Sequence, residues 1–475
     1  MIQVIEMVPK LSLTPNDING LLEQIHEYHA TYNDFFQRRE QRQNSKLYLY
    51  GLLSPEVENK AIEPMMLKLE GDNQNSIRSM QHFMSEGSWD DNPILKHHRI
   101  EVAHDLGEED GVFIVDGSDF PKQGANSVGV KRQYCGQVGK IANCQAGIFL
   151  SYVSSKGYTL LDRRLYLPQE WIEDEKYAER RLTCGIPDDI PFKTRPALAL
   201  EMVKNVHQEG IVPGRWVTCD EAFGRSTDFL DGIAALNLWY YAEIPHDTQF
   251  WLVRPDTDVP QWQGRGRKPT KEQIVDSALS PQTVVEIATS LSDEKWTRQT
   301  IKEGSKGPMV ADFAFLRVVA VRDKLPGPDV WLIFRKNLHT GELKTYVSNA
   351  PVDISEAALV YISAMRWPIE TAFEDSKQLI GMGDYQVRSW RGWNHHMTLC
   401  ILSHFFLVRL KLRLGDKAPA LTLPQVKHLL TGILPKRKFD AEWVLEVLGY
   451  RQRRNYEAYI SHRKRSLEKL AQSTG

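Results

Sequence analysis

Two short apolar runs constrain this chain most. GVFIVD stops at Asp116 and GRWVTCD stops at Asp220. Each is too short for a helix and too apolar for a surface loop, so each reads as a buried strand that ends on a charge. Between them lie NCQAGIFLSYV (143–153) and YTLLDRRLYLP (158–168), two further strands, the second alternating and therefore expected to be more exposed. TRPALALEMVKNVHQEG (194–210) has the period and closing glycine of a helix. After Asp220, GRSTDFLDGIAALN reads as a helix and LWYYAEIP as a strand. Strands alternating with helices in this way make an α/β layout.

The flanks differ in character. Up to about residue 95 the periodicity is helical, with Thr14-Pro15 as a start signal in LTPNDINGLLEQIHEYHATYNDFF. Arg38, Arg39, Arg42, Lys46 and Arg78 leave this segment open to two readings, a DNA-binding domain or a plain helical packing domain. Residues 246–350 turn strand-rich: QFWLVRPDTDV, FAFLRVVAVRD, DVWLIFRKN and KTYVSNAP. Within them QWQGRGRKPTK carries Arg265, Arg267 and Lys268 with no acid, either a basic arm for phosphates or a solvated loop. NHHMTLCILSHFFLVRLKLRLG is apolar enough for a largely buried helix. The last stretch sets Arg451, Arg453, Arg454, Arg463, Lys464, Arg465 and Lys469 against Glu457 and Glu468, a basic helical tail.

At 475 residues the chain exceeds one ordinary core. A net charge of −2 supplies no global field toward nucleic acid, so any basic surface is local. Cys135, Cys144, Cys184, Cys219 and Cys400 show no CxxC spacing, which argues against a zinc site and a disulfide framework. With no signal peptide and no apolar run of membrane length, a reducing, cytoplasmic home without membrane partners is expected.

The segment Tyr361–Trp390, YISAMRWPIETAFEDSKQLIGMGDYQVRSW, concentrates charge between apolar residues. Pro368 suits a helix start and is expected to push Trp367 out of helical geometry. Glu370 then lies in the first turn, with Glu374 and Lys377 on the same face. An amphipathic helix with a solvated charged face is the bland reading. Its company suggests more: three carboxylates, Asp116 and Asp220 at strand ends and Glu370 on a helix, suit Mg²⁺, a hard ion that takes carboxylate oxygen. Arg366, Lys377, Arg388 and Arg391 would then hold phosphates, and Trp367, Trp390 and Trp393 would stack on unpaired bases.

Together VDGSDFPKQG, SVGVKRQYCGQVGKIANCQAGI, WVTCDEAFG and RWPIETAFEDSKQLIGMGDYQVRSW closely resemble bacterial insertion-sequence transposases of the DDE class, more narrowly the group numbered seven-zero-one. The resemblance spans residues 35–410. It implies an RNase H-like core interrupted by a β-rich insertion, two Mg²⁺ ions (Mn²⁺ as substitute) held by Asp116, Asp220 and Glu370, and a homodimer synapsing DNA ends. Arg366, Glu370 and Lys377 keep the spacing of the superfamily's Tyr-Arg-Glu-Lys signature. Ser363 stands where its tyrosine belongs, and Tyr361 is two residues early. Gly117 follows Asp116, and Asp119 is a reserve ligand. Spacing alone cannot choose between Glu370 and Glu374 as ligand. The first-turn position beside Arg366 and the signature distances favour Glu370, leaving Glu374 to orient Lys377 or Arg388.

The expected organisation is a helical DNA-binding region (1–95), a first part of the core (96–245), the β-rich insertion (246–350), a second part of the core (351–415) and a basic helical end (416–475). The expected activity is cutting of element ends and their joining to target DNA. A nuclease without strand transfer and a catalytically silent DNA-binding protein are the alternatives.

Overall fold

The computed structural model of the protein describes residues 10–473 apart from 263, 265, 266, 277, 305, 306, 438 and 439. The chain divides into two units. One gathers the residues up to Ile94 with Thr183–Ile186 and those from Glu374 onward; the other holds Leu95–Leu182 and Pro187–Phe373.

The first unit is helical, for reasons its sequence states. Thr14 closes a capping box on the helix Pro15–Asn19. Helix Leu21–Ala30 buries Leu21, Ile25, Tyr28 and His29, one face at the helical period. Helix Gln74–Ser85 does the same with Ile77, Met80, Phe83 and Met84. Trp390–Leu414 is buried along most of its length, as its composition requires. Its histidines are bonded rather than stranded: His396 Nδ1 lies 2.7 Å from the Tyr48 hydroxyl and His395 Nδ1 3.0 Å from the Met84 carbonyl oxygen. This burial corrects one expectation. Trp393 is 0% exposed and so cannot stack on a base. The helix Ala441–Ser473 ends the unit, with 451–468 exposed throughout. Among the described residues no helix is long and apolar enough to cross a membrane.

The second unit is built on one mixed sheet. Its strands are β1 (Val112–Pro121), β2 (Lys131–Cys135), β3 (Lys140–Ser154), β4 (Gly157–Tyr166), β5 (Trp216–Cys219), β6 (Trp239–Glu243) and β7 (Gln249–Trp251). The two-residue β8 (Thr257–Asp258) and β9 (Gln273–Ile274) pair only with each other, and β10 (Gln282–Thr283) pairs with β7. Then come β11 (Thr297–Gly304), β12 (Gly307–Arg322), β13 (Leu325–Asn337) and β14 (Leu343–Ser348). The order is β10-β7-β12-β13-β14-β6-β5-β1-β3-β2, with β11 on β12 and β4 on β3. The fold is therefore mixed α/β. Strands from the 246–350 stretch join the same sheet, because β14 pairs antiparallel with β6.

Three sequence expectations need correction. The strand carrying Asp116 does not stop there. It loses its parallel neighbour β5 after Val115 but keeps pairing with β3 as far as Pro121. β4 is mostly buried rather than half-exposed. Its charges do not need water, because Asp162 accepts from Arg164 at 2.8 Å and from Arg163 at 3.3 Å. Trp367 is helical, the first residue of the helix Trp367–Gln378, with Pro368 second, a position where its missing N–H also costs nothing.

Candidate active site

Val112, Phe113, Ile114 and Val115 are each at most 1% exposed, a β-rich run with apolar contacts on both faces. β1 pairs parallel with β5 up to Val115↔Cys219, and β5 pairs parallel with β6 up to Cys219↔Ala242. The next residue on each strand is acidic: Asp116, Asp220 and Glu243. Three carboxylates thus stand level where β5 and β6 end and where β1 loses its parallel partner, the side of an open α/β sheet on which ligands are placed. Glu243 was missed by the sequence reading, although LWYYAE carries the same signal as the other two runs, apolar residues stopped by an acid.

Arg366 enters from the turn between the helices Glu356–Ala364 and Trp367–Gln378. Its guanidinium donates to Glu370 at 2.9 Å, one helical turn on, and lies 3.6 Å from Asp116 and 3.8 Å from Glu243. Burial works against its charge, but Asp116, Glu370, Glu243 and Asp220 outweigh that and hold its pKa above the ordinary arginine value. Lys344 grips the other side of Glu243 at 3.0 Å. The structure thus brings Asp116, Asp220, Arg366 and Glu370 into one neighbourhood, with Glu370 turned onto the arginine.

Burial, then the charge of Asp220, pushes the Asp116 carboxyl up to about 7. Asp220 is also raised, again chiefly by burial, with Arg366 and the N–H groups of Phe223 and Ala222 opposing. Its side chain caps the short helix Glu221–Gly224, accepting from the Ala222 N–H at 3.0 Å. The two aspartates open into a cleft of about 310 Å³ shared with Asp119, Tyr166, Thr194 and Arg195. Arg195 is a second functional candidate that the sequence did not single out. It follows the cap residue Thr194, stacks over the Tyr166 ring at 4.9 Å and donates to Gln133 at 3.2 Å.

A divalent cation fits the aspartate pair in chemistry. Two buried carboxylates, both raised in proton affinity chiefly by burial, are hard oxygen donors short of positive charge. Among the described residues, no three His, Cys, Asp or Glu side chains are already gathered to hold a metal ion. The arginine holds Glu370 instead.

The remaining expected residues have contacts of their own. Asp119 accepts from the Gly136 N–H at 2.7 Å, so it also anchors backbone. Lys377, Arg388 and Arg391 belong to the first unit, where Arg391 donates to the Glu86 carbonyl at 2.8 Å. Glu374, exposed, accepts from Gln378 at 3.1 Å. Trp367 is exposed and Trp390 half-buried. Arg267 and Lys268 are exposed, and Arg265 lies outside the described residues.

The profile of the family described as DDE superfamily endonuclease matches residues 31–308, a span that holds Asp116, Asp220 and Glu243 but not Arg366 or Glu370. The probable transposase for insertion sequence element IS701 of Microchaete diplosiphon is 23% identical over 367 residues, covering 76% of this chain and 81% of that protein. The cryo-EM structure of a piggyBac transposase synaptic complex with hairpin DNA aligns with a TM-score of 0.40 at 10% identity, over 90% of this chain and 83% of that one.

Proposed function

The chain belongs to the DDE superfamily of endonucleases, and from that premise we propose that it is the transposase of an insertion element, cutting the element's DNA ends and joining them to target DNA. The observation that carries the reading is the pair Asp116 and Asp220, level just past the point where the parallel pairing of β1 with β5 ends, buried, and raised in proton affinity. The run β4-β3-β1-β5-β6, antiparallel on one side of β1 and parallel on the other, supports an RNase H-like core. In this reading the 246–350 strands are an insertion spliced onto its β6 edge.

Asp116 and Asp220 would hold Mg²⁺, or Mn²⁺ in its place, with Glu370 as the third donor. Bound divalent ions supply the positive charge that phosphoryl transfer requires at its attacking and departing oxygens. The protein's own residues prepare the rest. Arg366 offers a planar fork of donors that suits a phosphate as well as a carboxylate. An incoming backbone phosphate competes for that fork, which frees Glu370, while Glu243 and Lys344 keep the arginine from leaving the site. Near neutral pH Asp116 is shared between its two protonation states, so it can give up its proton as a cation arrives. Arg195, beside the two aspartates, would take a neighbouring phosphate. Arg388, Arg391, Lys377, Arg267 and Lys268 would contact DNA, and a homodimer would synapse the two ends.

The test is a plasmid carrying the gene with its natural flanking DNA, incubated with purified protein and Mg²⁺. Cleavage at the inverted repeats followed by joining of the 3′-hydroxyl ends to a second plasmid is the expected result. Cleavage without joining would make the protein a nuclease. Binding without cleavage would make it a silent descendant of a transposase.

A further inference from the structure

The segment GVKRQYCGQVGKIANCQ is the most distinctive stretch of the sequence, and the proposed chemistry leaves it without a task. It forms the hairpin β2–β3, closed by the turn 136–139, with Gly139 left-handed at φ 63°. Several of its polar residues have structural duties. Gln133 donates to the Cys144 carbonyl at 3.4 Å, Gln145 donates to the Val128 carbonyl at 2.6 Å, and Asn143 donates to the carbonyls of Lys122 and Gly124. Asn143, opposite Arg132, and Gln145 lie on the same face of β3 as Ile141 and are half-buried and buried, while the rest of that face toward the turn is open. Tyr134 and Ile141 are cross-strand partners, so they share a face with Arg132, and none of the three is covered. Tyr134 is 64% exposed and Ile141 61%. An aromatic–aliphatic cross-strand pair gains from burial, so leaving it in water beside an arginine marks a contact surface.

The occupant follows from charge and place. From Asp119 to Asp162 the chain holds no intervening acid, while Lys122, Lys131, Arg132, Lys140 and Lys156 are basic. Of these, Lys131 is held by Glu170 at 2.6 Å. The hairpin turn is tied through Gly136 to Asp119, which lines the same cleft as Asp116 and Asp220. A polyanion entering that cleft therefore meets this hairpin. The outside of a paired duplex is phosphate and offers a tyrosine ring little apolar surface, whereas an unpaired base offers its whole face. Arg132 and Tyr134 lie two residues apart on one strand, about 7 Å, a span that lets the arginine take a phosphate while the ring takes its base.

We infer that the outward face of the β2–β3 hairpin holds an unpaired base of the DNA beside the site of cleavage, with Tyr134 and Ile141 against the base and Arg132 on its phosphate. The inference rests on the DNA-cutting role proposed above and adds the substrate feature that the site selects, a locally unpaired end.

The experiment uses full-length protein in EDTA, to prevent cutting, and two fluorescein-labelled probes: a short blunt duplex and the same duplex with a short oligothymidylate 3′ tail. Anisotropy titrations should show the wild type binding the tailed probe about 10-fold more tightly. Tyr134→Ala should abolish that preference while leaving blunt-duplex binding within about 2-fold, and Tyr134→Phe should keep it. Arg132→Gln should weaken both probes and flatten the salt dependence by about one phosphate contact. Because the residue is exposed, thermal melting of Tyr134→Ala should match the wild type. A wild type that binds both probes equally, or a Tyr134→Ala variant that retains the preference, overturns the hairpin inference and leaves the DNA-cutting role standing. A wild type that binds neither probe overturns both.

Discussion

Two of the groups of charges buried in the second unit are treated in opposite ways. On β4, Asp162 lies between Arg163 and Arg164, at 3.3 and 2.8 Å. Each negative charge there has positive neighbours, and the cluster serves as packing. Where β5 and β6 end and β1 loses its parallel partner, Asp116, Asp220 and Glu243 share the field of Arg366, which ion-pairs with Asp116 and Glu243, while Lys344 reaches only Glu243. Asp116 is driven up to about 7 by burial and by Asp220. The difference separates a charge buried for structure from one buried for work. The first is neutralised in place, and the second is left in want of a cation.

The sharpest way to break the contrast is Asp220→Asn. It removes like-charge repulsion, so the fold should survive with an unchanged or higher melting temperature. Mg²⁺-dependent nicking of an end-containing duplex should drop by about 10³-fold, the scale of removing a central electrostatic group. Wild-type nicking by this variant would return the aspartates to structural duty. Asp162→Asn should do the reverse. It removes the carboxylate between Arg163 and Arg164 and should cost about 3 kcal/mol in urea unfolding, while the surviving folded fraction nicks at the wild-type rate.

The pH dependence of stability sharpens the comparison further. The folded protein holds the Asp116 proton more tightly than the unfolded chain, whose carboxyl sits near 3.8. The stability this contributes is full below about 4 and is lost as pH rises toward about 7. Melting in EDTA at pH 5 and pH 7.5 should show that loss, and Mg²⁺ should offset it at the higher pH. A melting temperature that climbs over this window in EDTA would show that Asp116 is not raised. The smallest expected effect is that of Glu243→Gln. Loosening one of the contacts that steady Arg366 should slow nicking about 10-fold, as changes in supporting residues do, with Lys344→Met giving a similar loss in the same assay.

Asp116 and Asp220 were legible because a buried parallel strand must be apolar and a charge at its end breaks the run. Glu243 obeys the same rule and was readable in LWYYAE. Its signal is weaker because the two tyrosines of LWYYAE blur the apolar run that the acid stops. Arg366 was legible as part of a dense cluster, but its grip on Glu370 was not, since spacing tells which side chains share a face and not which is already engaged. The burial of β4 was misread because alternation of DRR with leucines imitates an edge strand. Only the pairing of Asp162 with two arginines removes the need for water. Trp393 was misread for a related reason, since its charged neighbours in sequence are not its neighbours in space. Long-range pairing lies beyond local periodicity altogether. Nothing in KTYVSNAP announces that it will sit against the strand of Glu243.

That last pairing has a mechanical consequence. Tyr346 on β14 is the direct partner of Glu243 on β6, and the ladder continues through β13 to the long β12. A hydrogen-bonded plate is stiff along its ladder, so force applied to the far end of the β12–β13 ribbon reaches the carboxylate edge as torque instead of dissipating in a hinge. The ribbon turns at Asp323–Lys324, and the separate turn Asn337–Leu343 joins β13 to β14. A one-residue slip between β14 and β6 would turn the strand's side chains to the opposite face and pull Lys344 from Glu243.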